Sequence, residues 1–348
     1  MFARGIGFMR VAVLVEPRRI ELRDEPELLA PDGGLLVRVR AALTDGTDLK
    51  AYRRGHPQMP MPTRFGHEFS GDVAAIGRGV DRWKVGDSIM CVHSAPCGGC
   101  FWCLHAEEEL CESVMSTKIL GAYAEFIIVP EHIAKINCYR KPASLSYEEA
   151  AFLEPLACVV HSVAYGAARA GQTALVLGDG GFGLLHADVL RAKGLRVILA
   201  GRRDERLDIA RGLGIESVVD TRAVALETEV AETTQGRGVD LVVECTGSEE
   251  IWEQAPRYAR RGGTVIFFGG LPATASVTFL ASRMHYDELK LLSPFHFTPR
   301  DVKIAHDMLV KNEISVGALI TSRSSLEQIT QVFKDLDAGR GVKYAILP

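Results

Sequence analysis

Between Gly171 and Phe268, short β-branched runs alternate with segments whose apolar residues recur at helical spacing, and few folds accommodate that rhythm. Strands are expected at Thr173–Leu177, Arg196–Ala200, Ser217–Asp220, Leu241–Glu244 and Thr264–Phe268, with helices at Gly181–Lys193 and Asp204–Leu213. Strands joined through helices pair in parallel, so the expectation is a doubly wound sheet covered on both faces, a Rossmann-like α/β unit. Gly178-Asp179-Gly180-Gly181-Phe182-Gly183 follows the first strand and opens the first helix. In that setting Gly178, Gly180, Gly181, Phe182 and Gly183 form a loop whose free N–H groups, at the positive end of a helix, can seat a pyrophosphate; a plain structural turn is the alternative.

The second strand ends in Gly201-Arg202-Arg203, where a ribose-binding carboxylate would otherwise stand. A carboxylate there repels a 2′-phosphate, whereas glycine makes room and two guanidiniums can grip it, which favours NADP over NAD. The competing arrangement leaves both arginines solvated and gives the ribose to Asp204 or Glu205. Thr246 and Gly269 follow successive strands on the same side of the sheet and are expected to line the dinucleotide.

From Met9 to about Pro130 the pattern differs: β-branched runs are separated by glycine and proline, as in a compact β-rich domain. A chain of 348 residues exceeds what one core usually serves, so two domains are expected. They are read as residues 1–158 with 293–348, the tail rejoining the first domain, and residues 159–292. Residues 1–8 read as an upstream extension, with Met9 resembling a start. Apolar residues make up 47% and charged residues 24% of the chain, and the formal net charge is −4. Such a balance suits a soluble protein and offers no basic patch for nucleic acid or an anionic membrane, so a small-molecule partner is expected. No apolar run reaches the length of roughly 20 residues that spans a bilayer, and the first residues lack a signal-peptide core. A cytoplasmic location is the expectation.

Four of the eight cysteines, Cys97, Cys100, Cys103 and Cys111, fall in one short stretch. Two-residue gaps let a turn aim successive sulfurs at one tetrahedral centre, and four sulfurs leave no open position, so a structural zinc within a lobe over 97–111 is predicted. Cys91, Cys138, Cys158 and Cys245 lie in apolar surroundings and read as small buried hydrophobes.

Gly66-His67-Glu68-Phe69-Ser70-Gly71, Val85-Gly86-Asp87, the four-cysteine lobe, Gly121-Ala122-Tyr123-Ala124-Glu125 and Leu153-Glu154-Pro155-Leu156-Ala157 together resemble zinc-containing medium-chain dehydrogenases of the sorbitol and threonine dehydrogenase branch, over nearly the whole length. The resemblance implies a GroES-like catalytic domain interrupted by the dinucleotide domain, an active site in the intervening cleft, a secondary alcohol or polyol as substrate, and a homodimer or homotetramer. It implies that His296, after the last strand of the dinucleotide domain, lies near the nicotinamide.

The chain departs from the family where a cysteine normally precedes Gly-Thr-Asp: it has Asp45-Gly46-Thr47-Asp48. By resemblance the catalytic metal set would be drawn from Asp45, His67, Glu68 and Glu154, without sulfur, Glu154 being either a direct ligand or a residue behind the ligands that exchanges with water. Carboxylate can ligate zinc, but the set is harder and less selective for it. The structural alternative keeps Asp45 as a turn residue and Glu68 as an ion-pair partner, with the metal lost. By resemblance Thr47 hydrogen-bonds the substrate oxygen and starts a proton relay that commonly ends in histidine, here Lys50, which could carry the proton or meet a cofactor phosphate. His161, His186 and His306 sit in apolar helical stretches and are expected to pack, and Arg53, Arg54 and Arg64 are expected to be solvated. A metal-independent reductase and a nucleotide-binding sensor without turnover remain the alternatives.

Overall fold

The computed structural model describes residues 7–348. Residues 1–6 of the expected extension lie outside the described residues, and the first strand already begins at Phe8. The chain forms two units: one built from the chain up to Ala157 together with Phe297–Asn312 and Ile320–Pro348, the other from Cys158–His296 and Glu313–Leu319.

The first unit opens with an antiparallel hairpin, β1 (Phe8–Glu16) and β2 (Arg19–Pro26). There follow β3 (Leu35–Leu43), β4 (Thr63–Arg64), β5 (Glu68–Ile76), β6 (Ser88–Cys91), β7 (Phe126–Val129) and β8 (Cys138–Arg140). The second unit contributes β9 (Thr173–Leu177), β10 (Arg196–Gly201), β11 (Ser217–Asp220), β12 (Val239–Glu244), β13 (Ala259–Phe267) and β14 (Lys290–Leu292). The chain then returns to the first unit with β15 (Ile320–Ser325) and β16 (Lys343–Leu347).

In the first unit a sheet runs β15-β16-β3-β5-β6-β8, with β7 also pairing to β3. Two registers place its chemistry. Leu43 of β3 pairs with Glu68 of β5, and Ala345 of β16 pairs with Leu43, so the ends of three sequence-distant strands meet. Beneath them Phe65, Tyr123 and Phe333 pack with ring centroids 4.9–5.9 Å apart, and Tyr52 adds a ring 5.4 Å from Phe333. These rings hold the helices Gly46–Arg54 and Ile329–Asp337 to the sheet; truncating Phe333, fully buried, would cost about 3–5 kcal/mol.

The second unit is a parallel sheet of order β11-β10-β9-β12-β13-β14, the doubly wound order expected. Its central strands are largely apolar, and β9 is buried at every position, as a parallel sheet covered by helices requires. β13 starts at Ala259, ahead of the expected Thr264, because a register shift between Val239 and Leu241 lets the Arg260–Gly263 stretch join the strand. Leu177 pairs with both Ala200 and Glu244, so the loops after β9, β10 and β12 emerge side by side. The strand order reverses next to β9, where an open sheet of this kind takes a ligand. The glycine loop fits that point: Gly178 has φ +114°, and a Cβ on Gly183 would stand 1.9 Å from the Gly178 carbonyl oxygen. Only glycine at both positions lets the helix Gly181–Ala192 start against the strand.

Candidate functional site

Asp45 caps the helix Gly46–Arg54: its Oδ2 accepts from the Thr47 amide at 2.5 Å. Its other oxygen, Oδ1, is buried and has no hydrogen-bond partner among the described residues. The turn role and the ligand role weighed from sequence are therefore compatible, one oxygen for each. Burial would raise this carboxyl, but Lys343, His67 and the Thr47 amide and hydroxyl outweigh it and hold it below its usual range.

His67 immediately precedes β5 and sets Nε2 3.9 Å from Asp45 Oδ2. Its Nδ1 lies 3.3 Å from Asp48 Oδ1, and Tyr123 Oη donates to Asp48 Oδ2 at 2.7 Å, so a buried chain of contacts fixes the ring. Burial alone would lower the His67 pKa, yet Asp48, Glu154 and Asp45 push it up to about 10. That is the signature of a site with excess negative charge: the field that retains a proton on this imidazole is one a metal cation would also answer.

Glu68, the first residue of β5, is fully buried. Both its oxygens accept from Lys343 Nζ, at 2.6 and 2.5 Å, and the same ammonium donates to the Thr44 carbonyl at 3.0 Å. Burial opposes the Lys343 charge, but Glu68, Asp45 and Glu154 more than offset this and raise its pKa. Asp45, His67 and Glu68 each offer a ligand atom within 4.8 Å of the others, yet Glu68 is already committed to an ion pair.

Glu154, in the first turn of the helix Leu153–Tyr165, is buried with Oε1 3.2 Å from His93 Nδ1. The His93 ring is edge-on to His67 at 5.0 Å and to Phe297 at 5.9 Å. Thr47 and Lys50 sit half-buried on the Asp45 helix. The donors that converge are Asp45, His67 and Glu68, two carboxylates and an imidazole with one buried Asp45 oxygen unpaired, a set of the kind that takes a divalent cation.

The four lobe cysteines hold their sulfurs within 4.8 Å of one another, with 3.5 Å between Cys100 and Cys103 and 4.0 Å between Cys97 and Cys103. Tetrahedral zinc with bonds of about 2.3 Å spaces sulfurs about 3.8 Å apart, so the lobe also fits its ion. Burial and the neighbouring thiols, Cys100 foremost, drive Cys103 up to about 12. Burial raises Cys111 too, but donors from Ser113 and the Cys97 amide bring it down to about 6. Cys103 thus resists ionisation while Cys111 favours it.

On the second unit, Gly180 is the N-cap of the helix Gly181–Ala192, so the loop's amides open onto its positive end. Arg202 is exposed and Arg203 half-buried at the end of β10. Asp204, the alternative ribose partner, is instead bound with Asp220 by Arg222. Thr246 and Gly247 are shaped by Glu244, whose Oε1 accepts from both their amides, at 2.5 and 3.0 Å. Gly269 donates to the Glu244 carbonyl at 3.0 Å, and its own carbonyl accepts from Trp252 Nε1 at 2.9 Å. His296 is half-buried with φ +62°.

His186 packs as expected, Nδ1 facing the Phe182 carbonyl at 2.8 Å and Nε2 facing Ser162 Oγ at 3.0 Å. His306 stacks on Tyr139 and His161 on Tyr165. Arg53 and Arg64 are not simply solvated, since they pair with Asp337 and Glu25. Three residues of the site were not among the expected ones: His93, Asp48 and Lys343. Asp48 belongs to the Gly-Thr-Asp motif and could have been found there; His93 and Lys343 carry no local pattern.

The alcohol dehydrogenase GroES-like domain model matches residues 31–138, and the zinc-binding dehydrogenase model matches residues 181–311. A sorbitol dehydrogenase of Halalkalibacterium halodurans is 27% identical over 94% of this chain and 95% of its own. D-xylulose reductase A of Aspergillus oryzae is 30% identical over 96% and 95%. A zinc-binding dehydrogenase of Sinorhizobium meliloti solved with NADP superposes with a TM-score of 0.89 at 30% identity, covering 98% of this chain and all of that one. No helix among the described residues is long and apolar enough to cross a membrane. The paired domain matches, the relatives covered over nearly their whole length, and the presence of both a doubly wound sheet and a β-rich unit make this chain a member of the zinc-type medium-chain dehydrogenase family, in its sorbitol dehydrogenase-like branch.

Proposed function

We propose that this dehydrogenase oxidises a secondary alcohol, a polyol above all, with NADP as acceptor, and that Asp45, His67 and Glu154 hold its catalytic metal. The carrying observation is Asp45 itself: Oδ2 caps the helix and lies 3.9 Å from His67 Nε2, while Oδ1 is buried with no hydrogen-bond partner among the described residues. A cation held there would supply Lewis acidity toward the substrate hydroxyl, and a bound nicotinamide would supply the hydride acceptor. Asp48 orients His67 through Nδ1, and Glu68 serves Lys343 rather than the ion. Thr47 holds the substrate hydroxyl proton at Oγ1, and Lys50 stands where that proton leaves or where a cofactor phosphate docks. Without sulfur the site loses part of its preference for zinc over harder ions such as manganese. The four cysteines keep a separate structural zinc.

Gly178 to Gly183 seat the pyrophosphate, Arg202 and Arg203 meet the 2′-phosphate across the space left by Gly201, and Thr246, Gly269 and His296 line the remainder. The polyol enzymes among the relatives support the substrate class, and the NADP-bound structure supports the cofactor. The test follows nicotinamide absorbance with a polyol panel, with NADP and with NAD, before and after chelation. Turnover with NADP that chelator abolishes and added metal restores is the expected result. Chelator-insensitive turnover would indicate a metal-independent reductase, and nucleotide binding without turnover a sensor.

A further inference from the structure

We infer that Asp179, inside the glycine loop, is a positioning residue for cofactor selectivity: it holds the turn after β10 in the form that presents Arg202 and Arg203 to a 2′-phosphate. The inference rests on the NADP reading above. Asp179 is buried, and its Oδ2 accepts from the Arg202 amide at 2.8 Å and the Arg203 amide at 2.9 Å. Its Oδ1 lies 3.8 Å from the Arg206 guanidinium. Gly201 closes the arrangement, because a Cβ there would stand 2.5 Å from Asp179 Cβ and 2.7 Å from Oδ2.

Three consequences follow from these contacts. The amides of residues 202 and 203, which could themselves have served an anion, are consumed by a carboxylate of the same chain, so a phosphate at this turn must be met by the guanidiniums. The buried acid nearest the turn is equally unavailable to a ribose hydroxyl, since the oxygen facing the turn already takes two donors and the other faces Arg206. Its negative charge, which would oppose a 2′-phosphate, is offset at short range by the same contacts. A carboxylate on this rim therefore does not select NAD here; it shapes the backbone that carries the selecting arginines.

The experiment measures Kd for NADP and for NAD by calorimetric titration of the full chain, in wild type, Asp179→Ala and Asp179→Asn. Alanine leaves two amides unsatisfied and frees the turn, so NADP affinity is expected to fall about tenfold while NAD affinity changes less than about threefold. Asparagine keeps an oxygen that accepts both amides, and is expected to restore the wild-type ratio to within about threefold. If the alanine variant fails to fold, Asp179→Ser, too short to reach both amides, replaces it. A wild type that binds NAD more tightly than NADP overturns the cofactor reading beneath the inference. A wild type that prefers NADP with a ratio Asp179→Ala leaves unchanged, both affinities falling together or neither, overturns the positioning role alone.

Discussion

Lys343 reaches both carboxylate oxygens of Glu68, at 2.6 and 2.5 Å, from 275 residues further along the chain. Both groups are almost fully buried, and the Lys343 ammonium also lies 5.6 Å from the centre of the Phe152 ring. A buried pair of this kind is weak evidence of net stabilisation, but either partner left alone is an uncompensated charge. Lys343→Met should therefore lower unfolding free energy by about 3–5 kcal/mol. The double variant Lys343→Met with Glu68→Gln should recover most of it, read by urea denaturation. A single variant as stable as wild type would show that the two groups do not share a charge.

Asp45 serves two masters, and substitution separates them. Asp45→Asn keeps an oxygen for the Thr47 amide and should retain the helix, whereas Asp45→Ala should lose about 1 kcal/mol with the cap. Both should lose metal from the catalytic site on dialysis. Thermal melting paired with metal content checks the two effects independently.

Asp48 touches His67 from behind, on the ring nitrogen turned away from Asp45. Removing its charge with Asp48→Asn should weaken metal binding by about 10–100-fold, as loss of a ligand's hydrogen-bonded partner commonly does. Competition against a chromogenic chelator measures this. Unchanged affinity would mean that the ring needs no such orientation.

His186 sets a pH window for stability. Burial, partly countered by the Phe182 carbonyl, lowers its pKa to about 4, against an ordinary value of 6.5. The unfolded chain binds a proton there more readily than the folded one, so the neutral ring's contribution is complete above pH 6.5. It is lost as pH falls toward 4. The loss reaches roughly 3 kcal/mol at most. Wild type should lose more urea resistance than His186→Gln between pH 7 and pH 4.5; equal losses would remove His186 from the acid response.

Much of this was legible in the sequence because the signals were local. β9 is apolar after Thr173 and ends in a glycine loop that opens the next helix, so the whole pattern is local in the sequence. The cysteine spacing announces four converging sulfurs in the same way. The start of β13 was not legible, since Arg260 to Gly263 looks like a turn until Val239 pairs with Ala259. Lys343 and His93 were missed for a stronger reason: each gains its meaning only from a partner, Glu68 or Glu154, brought near by sheet pairing and helix packing. Arg64 reads as a solvated cation until the fold places Glu25 beside it.

Elemental analysis of the purified full-length chain tests the metal centre most directly. Wild type should carry two metal equivalents; Cys103→Ser should retain the one held by Asp45, His67 and Glu154, and His67→Ala should retain the one held by the four cysteines. One equivalent in wild type that vanishes entirely in Cys103→Ser, even after incubation with zinc or manganese, would contradict a cation at Asp45.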